Sequence, residues 1–213
     1  MKFFYYFVTY CFALFFKLFY GHKVFGKENI PKGGAIIAAN HASFFDPPLI
    51  AASLVPEECY FLARSSLFKN ALFSKIISNL NAYPVSGTTH DLNSFKIIST
   101  LLKEDKKVAI FPEGHRTSDG SLGEIKTGVA MLAMKTARPI IPVYLHGTYS
   151  IWPRNRKLFK FTGKTACVFG RPLYPQPNST MTKKEQQEEL THRLNNAIID
   201  LKNQYLKEVK EHA

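Results

Sequence analysis

The apolar positions of the chain fall into short unbroken runs separated by polar, glycine and proline breaks. Ala35–Ala39 is wholly apolar between Gly33-Gly34 and Asn40, the pattern of a strand buried on both faces. His22–Gly26, Cys59–Ala63, Lys107–Phe111 (stopped by Pro112), Ile140–Leu145 (after Pro139) and Thr165–Phe169 read as further strands. Helices alternate with them: Phe44–Leu54, starting near the Asp46-Pro47-Pro48 turn, then Asn70–Leu80, Asp91–Lys103 and Lys126–Thr136. Thr182-x-x-Glu185 is a capping box that opens a last helix over about 183–210. Its apolar positions Leu190, Leu194, Ile198, Leu201, Tyr205 and Val209 recur at spacings of four and three. The alternation predicts an α/β fold, a mixed central sheet flanked by helices, with the last helix packed on it. Pro172–Pro177 is the only Pro-rich stretch, and no internal repeat is present.

The beginning of the chain breaks this pattern. Of the first 20 residues, 11 are Phe or Tyr, and Phe3 to Phe16 is an uncharged run of 14. As a helix that run reaches ~21 Å, short of the roughly 30 Å hydrocarbon core of a bilayer. Lys2 and Lys17 flank it, which suits a segment lying in the membrane interface rather than spanning it. A buried core helix and a signal peptide are the other readings, and the second lacks a small-x-small cleavage site. The predicted organisation is therefore a hydrophobic membrane-association helix over 1–21 and one α/β domain over 22–213. A chain of 213 residues accommodates one such domain.

Charge sharpens this picture. The net charge is +12, and its distribution is lopsided. Residues 1–124 hold 13 basic and 10 acidic side chains, 125–184 hold 11 basic and none acidic, and 185–213 hold 4 basic and 6 acidic. A local excess of this kind attracts an anionic partner such as membrane phosphates, a phosphorylated substrate or nucleic acid. The stretch Ile151–Phe161 interleaves basic and aromatic residues, a composition suited to anionic headgroups with Trp152 and the Phe rings entering the interface. It suits an acidic carrier protein or the phosphates of coenzyme A equally well. Three widely separated cysteines, Cys11, Cys59 and Cys167, argue against a disulfide framework and fit a reducing compartment.

Several chemistries lose support at once. No two glycines are spaced as G-x-G, Leu158 stands where a P-loop ending at Gly163-Lys164-Thr165 would need its first glycine, and neither G-x-S-x-G nor H-E-x-x-H occurs. Two strand ends carry chemistry instead. Asn40-His41-Ala42-Ser43-Phe44-Phe45-Asp46 places a His and an Asp where a tight turn brings them together. The carboxylate would then fix the tautomer of His41 and leave its other ring nitrogen free to take a proton. This is two-thirds of a triad, with a substrate hydroxyl as the natural third member. Phe111-Pro112-Glu113-Gly114-His115-Arg116-Thr117-Ser118 gathers a carboxylate, a guanidinium and hydroxyls at a second strand end. Sites of α/β folds gather at the carboxyl ends of strands.

These blocks resemble the PlsC-type glycerolipid acyltransferases, typified by 1-acylglycerol-3-phosphate acyltransferase. The H-x4-D block matches His41 and Asp46 with Asn40 and Ser43. A strand leading to an arginine matches Tyr60–Arg64, and the F-P-E-G-T-R-S block matches Phe111, Pro112, Glu113, Gly114 and Arg116. Lys126-Thr127-Gly128 and Ile140–Tyr144 follow in the family's order. His115 stands in place of the usual Thr, and Thr117 in place of the usual Ser. The resemblance implies acyl transfer from a coenzyme A or acyl-carrier-protein thioester to the sn-2 hydroxyl of lysophosphatidate, with His41 as general base and Asp46 as its orienter. It implies no bound cofactor and no metal. It also implies a phosphate site drawn from Arg116, Glu113, Gly114, Arg64, Lys126 and Thr117, and work at a phospholipid surface on the cytoplasmic face rather than on nucleic acid. Relatives using glycerol 3-phosphate or a lysophospholipid as acceptor, and a non-catalytic basic lipid- or nucleic-acid-binding protein, are the alternatives.

Overall fold

The computed structural model describes residues 2–86, 92–176 and 180–211. Seven strands form one sheet: β1 (Lys23–Phe25), β2 (Ala35–Ala39), β3 (Cys59–Arg64), β4 (Ala82–Val85), β5 (Lys107–Ile110), β6 (Ile140–His146) and β7 (Ala166–Phe169). Their spatial order is β1-β7-β6-β2-β5-β3-β4. All neighbours are parallel except β6 and β7, so the sheet is mixed. The helices are α1 (Lys2–Tyr20), α2 (Asp46–Leu54), α3 (Ala71–Asn79), α4 (Leu92–Lys103), α5 (Gly128–Thr136), the short α6 (Thr148–Ile151) and α7 (Lys183–Glu211).

The wholly apolar run of β2 is explained by its central place. Ala35, Ile37 and Ala39 face one core with Leu49, Ile50 and Leu54 of α2 and Phe16 and Tyr20 of α1. Ile36 and Ala38 face the other, with Leu102 of α4, Val129 of α5 and Leu190, Leu194 and Ile198 of α7. Period-two alternation thus feeds two apolar layers from one strand. The capping box is in place: the Thr182 amide donates to Glu185 Oε2 at 2.6 Å and the Glu185 amide to Thr182 Oγ1 at 3.3 Å. Val209, the last residue of the expected stripe, is exposed.

Several expectations need correction. The first helix is longer than its uncharged run: 19 residues with Lys17 included, hence ~28 Å, which is long and apolar enough to cross a membrane by length and composition. It also has two faces. Tyr5, Thr9, Phe16 and Tyr20 are buried, whereas Phe3, Phe7, Tyr10, Leu14 and Leu18 point outward. The inner face is tied polar group by polar group. The Cys59 amide donates to the Tyr5 hydroxyl at 2.8 Å, and the Tyr20 hydroxyl donates to the Lys160 carbonyl at 2.6 Å. Fully burying a side chain the size of Phe16 stabilises by about 1.5–3 kcal/mol. Strand β4 is absent from the sequence-based elements because Pro84 interrupts it. It is tolerated because β4 lies at the sheet edge, where a missing N–H costs no ladder bond. The predicted helix start at Asp91 and the end of the Pro-rich stretch at Pro177 lie outside the described residues.

A buried histidine links α1 to the domain. His22 follows α1 and sits between Thr165 Oγ1 (3.0 Å from Nδ1) and Ser53 Oγ (2.9 Å from Nε2). Ser53 spends its own proton on the Leu49 carbonyl, so His22 Nε2–H donates to Ser53 and Nδ1 accepts from Thr165. Burial disfavours the charged ring and lowers its pKa from 6.5 to about 4, against a backbone hydrogen bond with Thr165 that raises it, so the ring is neutral at pH 7. The unfolded chain binds this proton more readily. The associated stability is fully present above pH 6.5 and is lost as pH falls toward 4. Chemical denaturation at pH 7 and pH 4.5 should show a loss in the wild type that exceeds the loss in His22→Gln by about 2–3 kcal/mol. Equal losses in the two proteins would remove His22 as the cause.

Candidate active site

The carboxyl ends of β2, β5 and β3 lie side by side and deliver His41, Phe111–Arg116 and Arg64 to one edge of the sheet. Asn40 fastens the end of β2: its side chain donates to the Leu145 carbonyl at 3.1 Å and accepts from the Leu145 amide at 2.7 Å. The chain then turns so that Asp46 opens α2, followed by two prolines in a first turn that needs none of their amides.

Asp46 is completely buried, and its Oδ2 is the centre of the turn. It accepts from the Ala42 amide at 2.6 Å and the Ser43 amide at 2.7 Å, and His41 Nδ1 lies 2.8 Å away. A carboxylate oxygen can only accept, so His41 Nδ1 carries the proton and Nε2 is left bare. The imidazole is stacked on Phe111 at 3.9 Å between ring centroids, with planes 15° apart. The five-residue spacing of the two catalytic residues thus becomes an orienting pair, as the sequence predicts.

The second loop is braced against the first. Glu113 is 1% exposed; its Oε1 accepts from the His41 amide at 2.7 Å and its Oε2 from the Gly123 amide at 2.9 Å. Burial pushes its carboxyl pKa upward, and the two amides oppose that shift. A carboxylate so enclosed braces two backbone amides, one from each loop segment. A side chain at Gly123 would meet Glu113 Oε2 at 2.7 Å, so only glycine permits this approach. The Thr117 amide donates to the His41 carbonyl at 2.8 Å, closing the contact between the loops.

The remaining expected residues divide. Arg116 is half-buried, lies over the Phe44 ring with its Cζ 3.6 Å from the centroid, and feels the fields of Arg154 and Arg64. Burial first, then those two cations, lower its pKa. Lys126 donates its backbone amide to Pro112, and its amine lies over Gly114, where an added Cβ would be 3.2 Å from Nζ. Gly114 has φ +76°, a turn that favours glycine. Thr117 is buried, and its Oγ1 donates to Asp119 at 2.8 Å. Two bonds from Ser121, and then that one from Thr117, lower the Asp119 pKa to about 2.

Sequence reasoning missed Phe111 as the platform for His41 and Arg154 as a third guanidinium. The first signal was present as the opening residue of the second block; the second lay unresolved among the basic residues of 151–161. Trp152 is likewise misplaced by composition. It is half-buried against Phe44, Phe45 and Phe159, and its carbonyl accepts from Ser43 Oγ at 2.8 Å. Leu158 and Phe161, 78% and 63% exposed, face solvent instead. Among the described residues no group of three His, Cys, Asp or Glu side chains converges as metal ligands would.

With this geometry in hand, comparison with known proteins is informative. A family model described as acyltransferase matches residues 22–146. A 1-acyl-sn-glycerol-3-phosphate acyltransferase of Bacillus subtilis is 31% identical over 184 residues, covering 86% of this chain and 89% of that protein. A chloroplastic protein of the same name from Brassica napus is 27% identical over 160 residues, 73% of this chain and 46% of its own length. The crystal structure of the acyltransferase PlsC from Thermotoga maritima superposes with a TM-score of 0.73 at 29% identity, over 93% of this chain and 81% of that one. The matched stretch begins at β1, ends with β6 and holds both braced loops, and on these grounds the chain belongs to the PlsC-type acyltransferase family.

Proposed function

We propose that this protein transfers a fatty acyl group from a thioester, carried by coenzyme A or acyl carrier protein, to the sn-2 hydroxyl of lysophosphatidate, giving phosphatidate. The observation that carries the reading is His41: Nδ1–H is held by a buried carboxylate, which leaves Nε2 as the ring's proton acceptor, on a loop hydrogen-bonded to the segment that carries Arg116. Nε2 removes the proton of the acceptor hydroxyl as its oxygen attacks the thioester carbonyl. The carbonyl carbon–sulfur bond then breaks, and the thiolate takes the proton back from the imidazolium. Asp46 stabilises the imidazolium between the two transfers. No covalent acyl-enzyme is required. Positioned general-base catalysis contributes ~10²–10⁴ in rate, and the fixed approach of the two substrates adds to it.

Arg116, with Arg64 and Lys126 behind it, is assigned to the acceptor phosphate. Glu113, Gly114 and Thr117 shape the loop that carries Arg116. The membrane reading rests on α1: residues 1–21 supply the contact and 22–213 the catalytic domain. The outward side chains Phe3, Phe7, Tyr10, Leu14 and Leu18 form an apolar stripe. Phe19 at its end meets the exposed Phe161 (ring centroids 6.4 Å apart), close to the basic stretch 154–160. A helix whose other face is committed to the domain lies along the interface, on the cytoplasmic side where the thioesters are found. Three free cysteines accord with that side.

Activity assays should cross lysophosphatidate, glycerol 3-phosphate and a lysophospholipid with acyl-coenzyme A and acyl carrier protein. Lysophosphatidate should be used best; preference for another acceptor would replace the substrate assignment. His41→Ala should lower kcat at least ~10²-fold with the melting temperature unchanged, and near-wild-type turnover would end the general-base role. Glu113→Ala leaves two amides unpaired. It should cost about 1–3 kcal/mol of stability and lower kcat with little change in KM, whereas a KM effect alone would return Glu113 to the substrate.

A further inference from the structure

We infer that Phe44 is a positioning residue for the acceptor site, holding the Arg116 guanidinium by its face so that its in-plane N–H groups are not spent on a carboxylate and remain to grip phosphate. The inference rests on the reading that Arg116 takes that phosphate. A half-buried arginine ordinarily finds a carboxylate. Here, among the described residues, no ion pair includes Arg116, Arg64 or Arg154. After burial, the strongest charge effects on Arg116 come from the two like-charged guanidiniums, ahead of the opposing effect of Asp46. Its Nη1 is buried and has no hydrogen-bond partner. The group it does meet is the Phe44 ring, 3.6 Å from Cζ.

This arrangement has a chemical consequence. The ring quadrupole attracts the cation from above its plane. A carboxylate would instead occupy the planar fork with which arginine grips phosphate. The ring therefore retains the cation without consuming its donors, and three guanidiniums without a counter-ion leave the cluster electrostatically incomplete until an anion arrives. Phe44 is itself anchored. Trp152 packs on it at 4.9 Å, and the neighbouring Ser43 donates to the Trp152 carbonyl while accepting from the Phe45 amide at 3.0 Å. Arg154 Nη1 reaches the Arg116 carbonyl at 3.5 Å from the same segment. Phe44 also lies between His41 and Asp46 in sequence, so one loop sets both the base and the phosphate grip. The role accounts for a phenylalanine that is 45% exposed at a catalytic turn.

The test is steady-state kinetics on the full chain with lysophosphatidate, using Phe44→Leu, Phe44→Tyr, Phe44→Trp, Arg116→Ala and the double variant Phe44→Leu/Arg116→Ala. Phe44→Leu should raise KM for lysophosphatidate about 3- to 30-fold, the range of a lost cation–π contact, with kcat little changed. Tyr and Trp should restore KM, which lost packing alone would not predict for rings of different size. The double variant should be no worse than Arg116→Ala. If the Leu variant does not fold, Phe44→Met takes its place. An unchanged KM in Phe44→Leu, beside a raised KM in Arg116→Ala, overturns the inference and spares the phosphate reading. A changed acyl-chain preference with KM for the acceptor intact also overturns it, and assigns the ring to the acyl path. An unchanged KM in Arg116→Ala overturns the phosphate reading, and the inference with it.

Discussion

One oxygen atom organises this site. Asp46 Oδ2 receives two backbone amides and the Nδ1–H of His41 within 2.8 Å. A buried carboxylate is costly unless its lone pairs are met by donors. Here the donors come from the turn that the carboxylate itself creates. The negative charge also sits in the first turn of α2, where the helix dipole favours it. Turn, helix start and imidazole tautomer therefore form together, and removing the carboxylate would dismantle all three. Its other oxygen, Oδ1, is buried without a partner, so the whole of its hydrogen bonding is concentrated on the reacting side.

The sheet turns this local device into a site for two substrates. Because β2 lies between β5 and β6, the loop after β2 can be braced from both sides: by Glu113, Phe111 and Thr117 after β5, and through Asn40 by Leu145 of β6. Two buried carboxylates thus serve different ends. Asp46 acts on the imidazole, whereas Glu113 acts on backbone amides and holds the loops at a fixed separation. Neither carboxylate forms an ion pair with Arg116, Arg64 or Arg154. On the outer side, the aromatic contacts Phe45–Phe15, Phe45–Phe16 and Phe45–Tyr20 connect the catalytic turn to α1. The membrane-facing helix and the reacting residues consequently belong to one packed body.

What could be read from the sequence was local. The apolar run of β2, the Pro47-Pro48 helix start and the Thr182–Glu185 cap depend on neighbours in the chain, and the structure has them where the pattern puts them. The pairing of His41 with Asp46 is nearly local, since five residues close one turn. What the sequence does not show is long-range. Glu113 looks like a polar group at a strand end, and only the approach of Gly123 and the His41 amide reveals it as a brace. The inner face of α1 could not be told from the outer one, because both are aromatic; the Tyr5–Cys59 and Tyr20–Lys160 bonds distinguish them. The contact of Arg116 with the Phe44 ring is likewise made between distant parts of the chain.

The claim on which the account stands is that Asp46 fixes the protonation of His41. Nitrogen-15 NMR of histidine-labelled protein at pH 8 reads it directly, with the His41 signals assigned by their loss in His41→Gln. The account predicts a neutral ring protonated at Nδ1 and bare at Nε2, and a loss of that preference in Asp46→Asn. A folded wild-type protein with His41 protonated at Nε2 and bare at Nδ1 would contradict it.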